Sequence, residues 1–272
     1  MNNDISVILL LYNTPEKALK NLKQYKNYKT YILDQNNNLN LENKLKKIFT
    51  NLYYFKSKNN LGFSKGINFL AKKVKTKYFL CTQPDIVINK KNISNLKKIF
   101  SIKKDAILGV PKIPQYKTNL KNNKKKIYSV DKILGAVFLA ETKKFRSFGM
   151  FDERYFFYWE DVDFCERVLR SKFNIYINTT SQALHVGAGS VKKNTNSIFI
   201  RAFNFKFGEL LFKYKYKKLK IIKILKEPIK FFILLFFNLI IFNKTKVIEN
   251  TSYILGTLKF LFYFKKNWIF KK

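Results

Sequence analysis

The chain has 272 residues, with 54 Lys+Arg against 17 Asp+Glu, a formal charge of +37 and a pI near 10.0. That length suits one large domain, or a domain with an appendage, and can bury a substantial core. The excess charge is nearly all Lys, spread along the chain without an Arg-rich, RNP-like or helix-turn-helix signature, so the expected partner is an anionic membrane surface and not nucleic acid.

The first residues, MNNDISVILLLYN, lack the basic n-region, long apolar stretch and small-residue cleavage site of a signal peptide. With only Cys81 and Cys165, no disulfide framework is expected, and the chain is read as cytoplasmic. Ile5 to Leu11 is an unbroken apolar run, the pattern of a parallel strand covered on both faces. A helix is then predicted over Pro15 to Tyr25, a strand over Tyr28 to Leu33, a helix over Asn40 to Phe49 and a strand over Leu52 to Phe55. The alternation continues with a helix at Ser64 to Val74, a strand at Tyr78 to Thr82, a helix at Ile93 to Ile102 and a strand at Ala106 to Val110. Such a rhythm predicts a doubly wound α/β sheet, mainly parallel, with helices on both faces and ligands at the carboxyl ends of the strands.

Lys112 to Lys132, rich in Lys, Asn and Pro, reads as a loop. A strand over Ile133 to Ala140, a short helix over Thr142 to Phe148, an amphipathic helix over Asp161 to Ser171 and a last strand over Phe173 to Asn178 follow. The change of character after about Asn196 predicts an α/β domain at 1–200, with halves at about 1–110 and 111–200, and a basic helical extension at 201–272. Between Lys213 and Lys272 the only acids are Glu227 and Glu249. The run FFILLFFNLIIF at 231–242 is short of the ~20 residues a spanning helix needs, and its aromatic and aliphatic faces flanked by Lys fit a helix lying in the membrane interface. Packing on the α/β domain, or a dimer contact, is the competing reading of the same helices.

Acids and polar residues gather after the strands. Asp34 ends the second strand, Asp85 follows the fourth in QPD, Asp161 begins a helix after an aromatic loop, and His185, the only histidine, lies in the loop ALHVGAGS. Residues at the carboxyl ends of different parallel strands converge on one crevice. Asn59, Asn60, Gly62, Lys65 and Gly66 lead into a helix whose N-terminal amides can hold phosphate oxygens, although NNLGFSKG is not a GxxxxGKS loop. Beside a diphosphate, Asp85 suits Mg²⁺ or Mn²⁺, hard cations held by one or two carboxylates plus phosphate oxygens and water. His185 adds a nitrogen donor better suited to Mn²⁺. In FYWEDVDF, Asp163 reads as a helix residue pairing with Arg167 at i,i+4, whereas Glu160 and Asp161 stand where a carboxylate can accept a proton from an alcohol. Tyr158 and Trp159 offer a platform for a sugar ring.

The order Tyr12-Asn13, Asp34, NNLGFSKGIN, QPD, GAVFLAE, FGMFDERYFFYWEDVDFCERV and a late His185 with GAGS resembles family 2 glycosyltransferases of GT-A fold, over roughly residues 4 to 200. The rhamnosyltransferase-like branch that builds bacterial surface polysaccharide is the nearest likeness. The resemblance implies inverting transfer from a nucleoside-diphosphate sugar to an acceptor hydroxyl; together with the basic tail it leads to the expectation of a glycan acceptor that is lipid-linked and of a peripheral place at the inner face of the cell membrane. It further implies that Tyr12 and Asp34 contact the base, that Asp85 binds the metal with help from His185, and that Asp161 is the general base. Gln83 departs from the acid or Asn that often stands two residues before the metal-binding Asp, which leaves open a metal held by Asp85 through few protein contacts, or no strict metal requirement. The alternatives are a nucleotidyltransferase of similar sheet, and a noncatalytic basic protein that binds membrane or nucleic acid.

Overall fold

The computed structural model describes residues 4–36, 39–115, 125–186, 190–191 and 194–269. It divides into two units, one formed by Met1–Glu153 with Asp161–Lys192, the other by Arg154–Glu160 with Lys193–Lys272.

In the first unit the strands are β1 (Ile5–Leu11), β2 (Lys29–Asp34), β3 (Leu52–Lys56), β4 (Tyr78–Thr82), β5 (Ile86–Val87), β6 (Ala106–Lys112), β7 (Ile127–Ser129), β8 (Phe138–Glu141), β9 (Asn174–Gln182) and β10 (Leu184–His185). Eight of them form one sheet in the order β3-β2-β1-β4-β8-β6-β9-β7, and β5 pairs with β10 in a small antiparallel ladder. The helices are α1 (Glu16–Asn21), α2 (Leu39–Lys46), α3 (Gly62–Lys73), α4 (Lys90–Ile102), α5 (Thr142–Ser147) and α6 (Glu160–Leu169), the last beginning one residue before the unit boundary. A 3-10 turn at Leu22–Tyr25 follows α1, so the helix expected over Pro15 to Tyr25 changes geometry part-way.

Strand side chains alternate between faces, and here both faces are apolar. Val7, Leu9, Ile32 and Leu80 face one way, into a core shared with Leu22 and Tyr25, with Leu41 and Leu45 of α2, and with Leu96 and Ile99 of α4. Phe79 and Phe138 face the other way, where Phe145 of α5, Phe151 and Phe164 of α6 stack edge to face around them. On that face α3 lies close to β1 at Gly66, where an added Cβ would stand 2.9 Å from Leu10 Cδ2. Helices on both faces of a large sheet are therefore as the sequence predicts.

The departures are local. β1 to β4 pair in parallel, but β8 runs antiparallel to both β4 and β6, and β7 antiparallel to β9. Hydrophobic runs report burial and not strand direction, so the sequence could not show this reversal. The strand expected over Ile133 to Ala140 is confined to its end, because 135–137 turn before β8 and Gly135 N donates to Asp161 Oδ2. The expected loop at Lys112 to Lys132 contains β7, while its stretch 116–124 lies outside the described residues.

Asp163 is fully buried, and its Oδ2 accepts a 3.0 Å bond from Arg167 Nε, as the i,i+4 spacing predicts. Arg167 also donates to Phe148 O and Met150 O, clamping a turn in which Gly149 has φ +94°. Removing one partner of a buried pair leaves the other uncompensated. Asp163→Ala is expected to destabilise the protein by about 3 kcal/mol, measured by denaturant unfolding at neutral pH.

The second unit holds α7 (Thr195–Lys215), α8 (Ile221–Ile240) and α9 (Lys244–Ile269). Asn194 and Ser197 form a reciprocal capping box that starts α7. Lys206 of α7 is almost buried, and its Nζ donates at 2.7 Å to both Glu209 Oε2 and Glu227 Oε2. Burial acts to lower the Lys206 amine, but its hydrogen bonds to the two carboxylates outweigh that and raise the pKa. The ion pair thus ties α8 to α7. Among the described residues no helix is long and apolar enough to cross a membrane.

Candidate active site

The order of the sheet reverses between β2-β1 and β1-β4, the switch point at which open α/β sheets bind ligands outside the carboxyl ends of their strands. Leu11 pairs with Asp34 and Leu9 with Thr82, so Tyr12, Asp34 and the turn after Thr82 leave the sheet at the same end.

Around Asp34 the candidates meet. The buried carboxylate accepts from Asn36 N at 2.9 Å through Oδ1 and from Tyr54 Oη at 2.8 Å through Oδ2. Asn36 Nδ2 in turn donates to Asn13 Oδ1 at 2.7 Å, and Asn13 holds a left-handed φ of 46°. Burial raises the Tyr54 hydroxyl, and its bond to the Asp34 carboxylate raises it further, so Tyr54 stays a donor at any ordinary pH. Tyr12 is half-buried beside this group and its amide donates to Thr14 Oγ1 at 3.3 Å.

The loop before α3 is tied to the same strand end. Gln35 Oε1 accepts from Leu61 N at 2.8 Å, and Asn60 Oδ1 accepts from Gly62 N at 2.9 Å. Two amides at the start of α3 are thus engaged, that of Leu61 by Gln35 at the end of β2 and that of Gly62 within the loop, with Gly62 in the left-handed region. Lys65 is exposed on the first turn of α3.

A second cluster forms beyond β4. Asp85 is buried, with its Oδ2 3.3 Å from His185 Nε2, and its Oδ1 accepts from Ser190 Oγ. His185 is not in a loop, as the sequence reading has it: it pairs with Ile86 in the β5-β10 ladder, and Val186 N donates to Asp85 O at 2.9 Å. This ladder fixes the imidazole against the carboxylate. The turn itself is held from α1 and its 3-10 extension, with Asn21 Nδ2 on Pro84 O at 3.1 Å and the Gln24 amide bridging Ile86 O and Ile88 N at 2.8 Å each. Gln83 contributes its carbonyl to this turn, accepting from Ile86 N at 3.0 Å. Asp85 and His185 offer an oxygen and a nitrogen donor, and among the described residues no cluster of three His, Cys, Asp or Glu side chains is assembled. That donor set fits Mg²⁺ or Mn²⁺ completed by diphosphate oxygens and water, and does not fit a closed structural zinc site.

Asp161 stands at the start of α6. Its Oδ2 accepts from Gly135 N at 2.9 Å and its Oδ1 from Val162 N at 2.8 Å. A Cβ on residue 135 would lie 3.1 Å from Asp161 Cβ, so glycine permits the approach. Burial raises the Asp161 carboxyl above the ordinary aspartate range, although both backbone donors oppose the shift. The neighbouring Cys165 thiol is pushed up to about 12 by burial and then by the Asp161 charge.

Glu160, Trp159 and Tyr158 belong to the helical unit. Glu160 is buried, and Tyr158 and Trp159 both adopt left-handed backbone, at φ 69° and 73°, conformations that cost bulky residues and recur at functional sites. The Trp159 ring packs on Phe205 and Phe212 of α7 and fits against Gly208, where an added Cβ would meet Cδ1 at 2.9 Å. Trp159 Nε1 is buried without a hydrogen-bond partner among the described residues.

A family model described as Glycosyl transferase family 2 matches residues 6–165, more than half of the chain. The chain belongs to this family. As a family 2 glycosyltransferase it is an enzyme, and the noncatalytic and nucleotidyltransferase alternatives give way. It is 24% identical over 216 residues to the low-salt glycan biosynthesis hexosyltransferase Agl10 of Haloferax volcanii, covering 68% of each chain. Among solved structures it resembles S. aureus TarS residues 1–349 in complex with UDP, with a TM-score of 0.55, 13% identity and coverage of 94% of this chain and 91% of that one. It also resembles GalNAc-T7 with UDP, GalNAc and Mn²⁺, with a TM-score of 0.57 and 14% identity over 76% of this chain, which spans 47% of that structure. Those two likenesses are of fold, and they extend the GT-A architecture over the sheet described above.

Tyr54, Gln35, Gln24, Ser190 and Gly135 were not singled out for a role in the sequence. Of these, Ser190, inside the quoted GAGS, and Gly135, which opens the quoted GAVFLAE, had a visible signal.

Proposed function

We propose that this family member transfers a sugar, with inversion, from a nucleoside-diphosphate donor to a hydroxyl of a glycan acceptor. The observation that carries the reading is the pair of carboxylate clusters, Asp34 with Tyr54 and Asp85 with His185, at the ends of β2 and β4 on either side of β1. In this reading Tyr12, Asn13 and Asp34 take the base, Asn60, Gly62 and Lys65 line the donor, and Asp85 with His185 would hold Mg²⁺ or Mn²⁺. When bound, that ion supplies positive charge against the departing diphosphate.

Asp161 is the proposed base. As the acceptor oxygen bonds to the anomeric carbon, its proton passes to the Asp161 carboxylate, and the anomeric C–O bond breaks with its electron pair leaving on the nucleoside diphosphate. The bonds from Gly135 N and Val162 N orient the carboxylate, and the raised pKa makes it a stronger base than an exposed aspartate. Glu160 is assigned to the acceptor side, with Trp159 and Tyr158 as its sugar platform. The acceptor is taken to be lipid-linked, the product a bacterial surface polysaccharide, the place the inner face of the membrane, and rhamnose the first candidate among hexose-class sugars.

A panel of dTDP-, UDP- and GDP-sugars tested by thermal unfolding with and without Mn²⁺ checks the donor class. A donor at 100 times its Kd adds about 2.7 kcal/mol, so one nucleotide series should raise Tm by several degrees and only with the metal present. Stabilisation by none of them refutes the donor class.

A further inference from the structure

Among its described side chains, helix α8 is covered on one side only. Of these, Ile224, Glu227, Pro228, Phe231, Leu235 and Asn238 are buried or half-buried and share one side of the helix, where Lys206 of α7 meets Glu227 and Tyr253 of α9 packs on Phe231. On the opposite side Ile222, Ile229, Phe232, Ile233, Phe236 and Ile240 are each 59–66% exposed. Their spacing of three, four and seven residues makes one continuous stripe about 27 Å long. Phe242, in the turn to α9, is 92% exposed. A soluble surface rarely carries an apolar patch of this extent without an occupant.

Charge selects the occupant. Lys226 and Lys230 flank the stripe, Lys244 and Lys246 follow its tip, and a cleft at its N-terminal end is lined by Leu210, Lys213, Lys218, Leu219, Lys220 and Glu227. The two acids of this region are engaged, Glu227 by Lys206 and Glu249 by Lys246. A second copy laid on the stripe would bring these lysines against their own kind with no carboxylate to meet them. An anionic bilayer offers both halves of the match, acyl chains for the stripe and phosphates for the lysines.

We propose that α8 is an in-plane membrane helix, seated at the headgroup boundary of anionic lipid with its Ile222–Ile240 stripe in the acyl region. The Lys206 ion pair with Glu209 and Glu227 fixes the roll of the helix so that this stripe faces outward. The inference deepens the membrane part of the proposed function and does not depend on the transfer chemistry.

The test is sedimentation of the full chain with vesicles of phosphatidylcholine containing one third phosphatidylglycerol. Wild type should bind at least about tenfold more tightly than to phosphatidylcholine alone, and Phe232→Ser/Phe236→Ser/Ile240→Ser should lose at least about tenfold of that affinity. A Phe236→Trp variant should be quenched by brominated acyl chains, which only insertion explains. Equal binding by the triple variant, or absence of quenching, overturns the proposal. So does a dimer that the triple variant dissolves while neither protein binds vesicles. Donor stabilisation with Mn²⁺, measured on the same proteins, should be unchanged by the triple variant, so failure of the lipid result and failure of the donor reading are separate outcomes.

Discussion

Asp161→Asn is expected to lower transfer by about 10²–10⁴-fold while leaving the nucleotide-dependent rise in Tm within a degree or two of wild type. The substitution keeps the size of the side chain and one oxygen for the Gly135 amide, but removes the group that can take a proton. The pH dependence gives an independent check. Only the ionised carboxylate is a base, so activity is present above its pKa and is lost as pH falls through it. Because burial raises that pKa, the acid limb of kcat should lie above the ordinary aspartate value of about 3.9. The same shift has the opposite sign for stability: the native state favours the protonated form, so ionising Asp161 costs stability as pH rises through the folded pKa. A limb at or below the ordinary value, or near-normal turnover by Asp161→Asn, would remove Asp161 from the role of base.

What could be read from the sequence follows from what each signal measures. The unbroken apolar runs at Ile5–Leu11 and Tyr78–Thr82 report burial on both faces, and both are central strands. Direction leaves no such trace, so the run that becomes β8 shows a strand but not that it lies antiparallel to β4 and β6. The two-residue strands β5 and β10 are too short for any periodicity, so His185 looked like a loop residue although its register opposite Ile86 sets its contact with Asp85. Carboxylates were legible because they are scarce in so basic a chain and fall after strands. Their partners were not, because the contacts are tertiary: Tyr54 reaches Asp34 across 20 residues and Ser190 reaches Asp85 across 105. Asp163 is the contrary case, since its partner Arg167 lies within one helical turn and a spacing rule suffices.

The sharpest test of the second cluster is Asp85→Asn. The amide can still accept from Ser190 and lie beside His185, and the turn remains held by Asn21 and Gln24, so the fold should be kept. What is lost is the charge. Hard divalent cations take carboxylate oxygen over amide oxygen, and among the described residues no cluster of three His, Cys, Asp or Glu side chains is there to compensate. We expect the Mn²⁺-dependent part of donor stabilisation to vanish and turnover to fall at least about 100-fold, with an unchanged melting temperature in the absence of ligands. His185→Ala should be milder, because water can replace a single nitrogen donor on Mn²⁺, and it should weaken Mn²⁺ more than Mg²⁺ because imidazole suits the softer ion. This ordering separates metal binding from architecture. If the pair served only to close the β5-β10 ladder, His185→Ala and Asp85→Asn would lower the ligand-free melting temperature together and leave the response to Mn²⁺ intact.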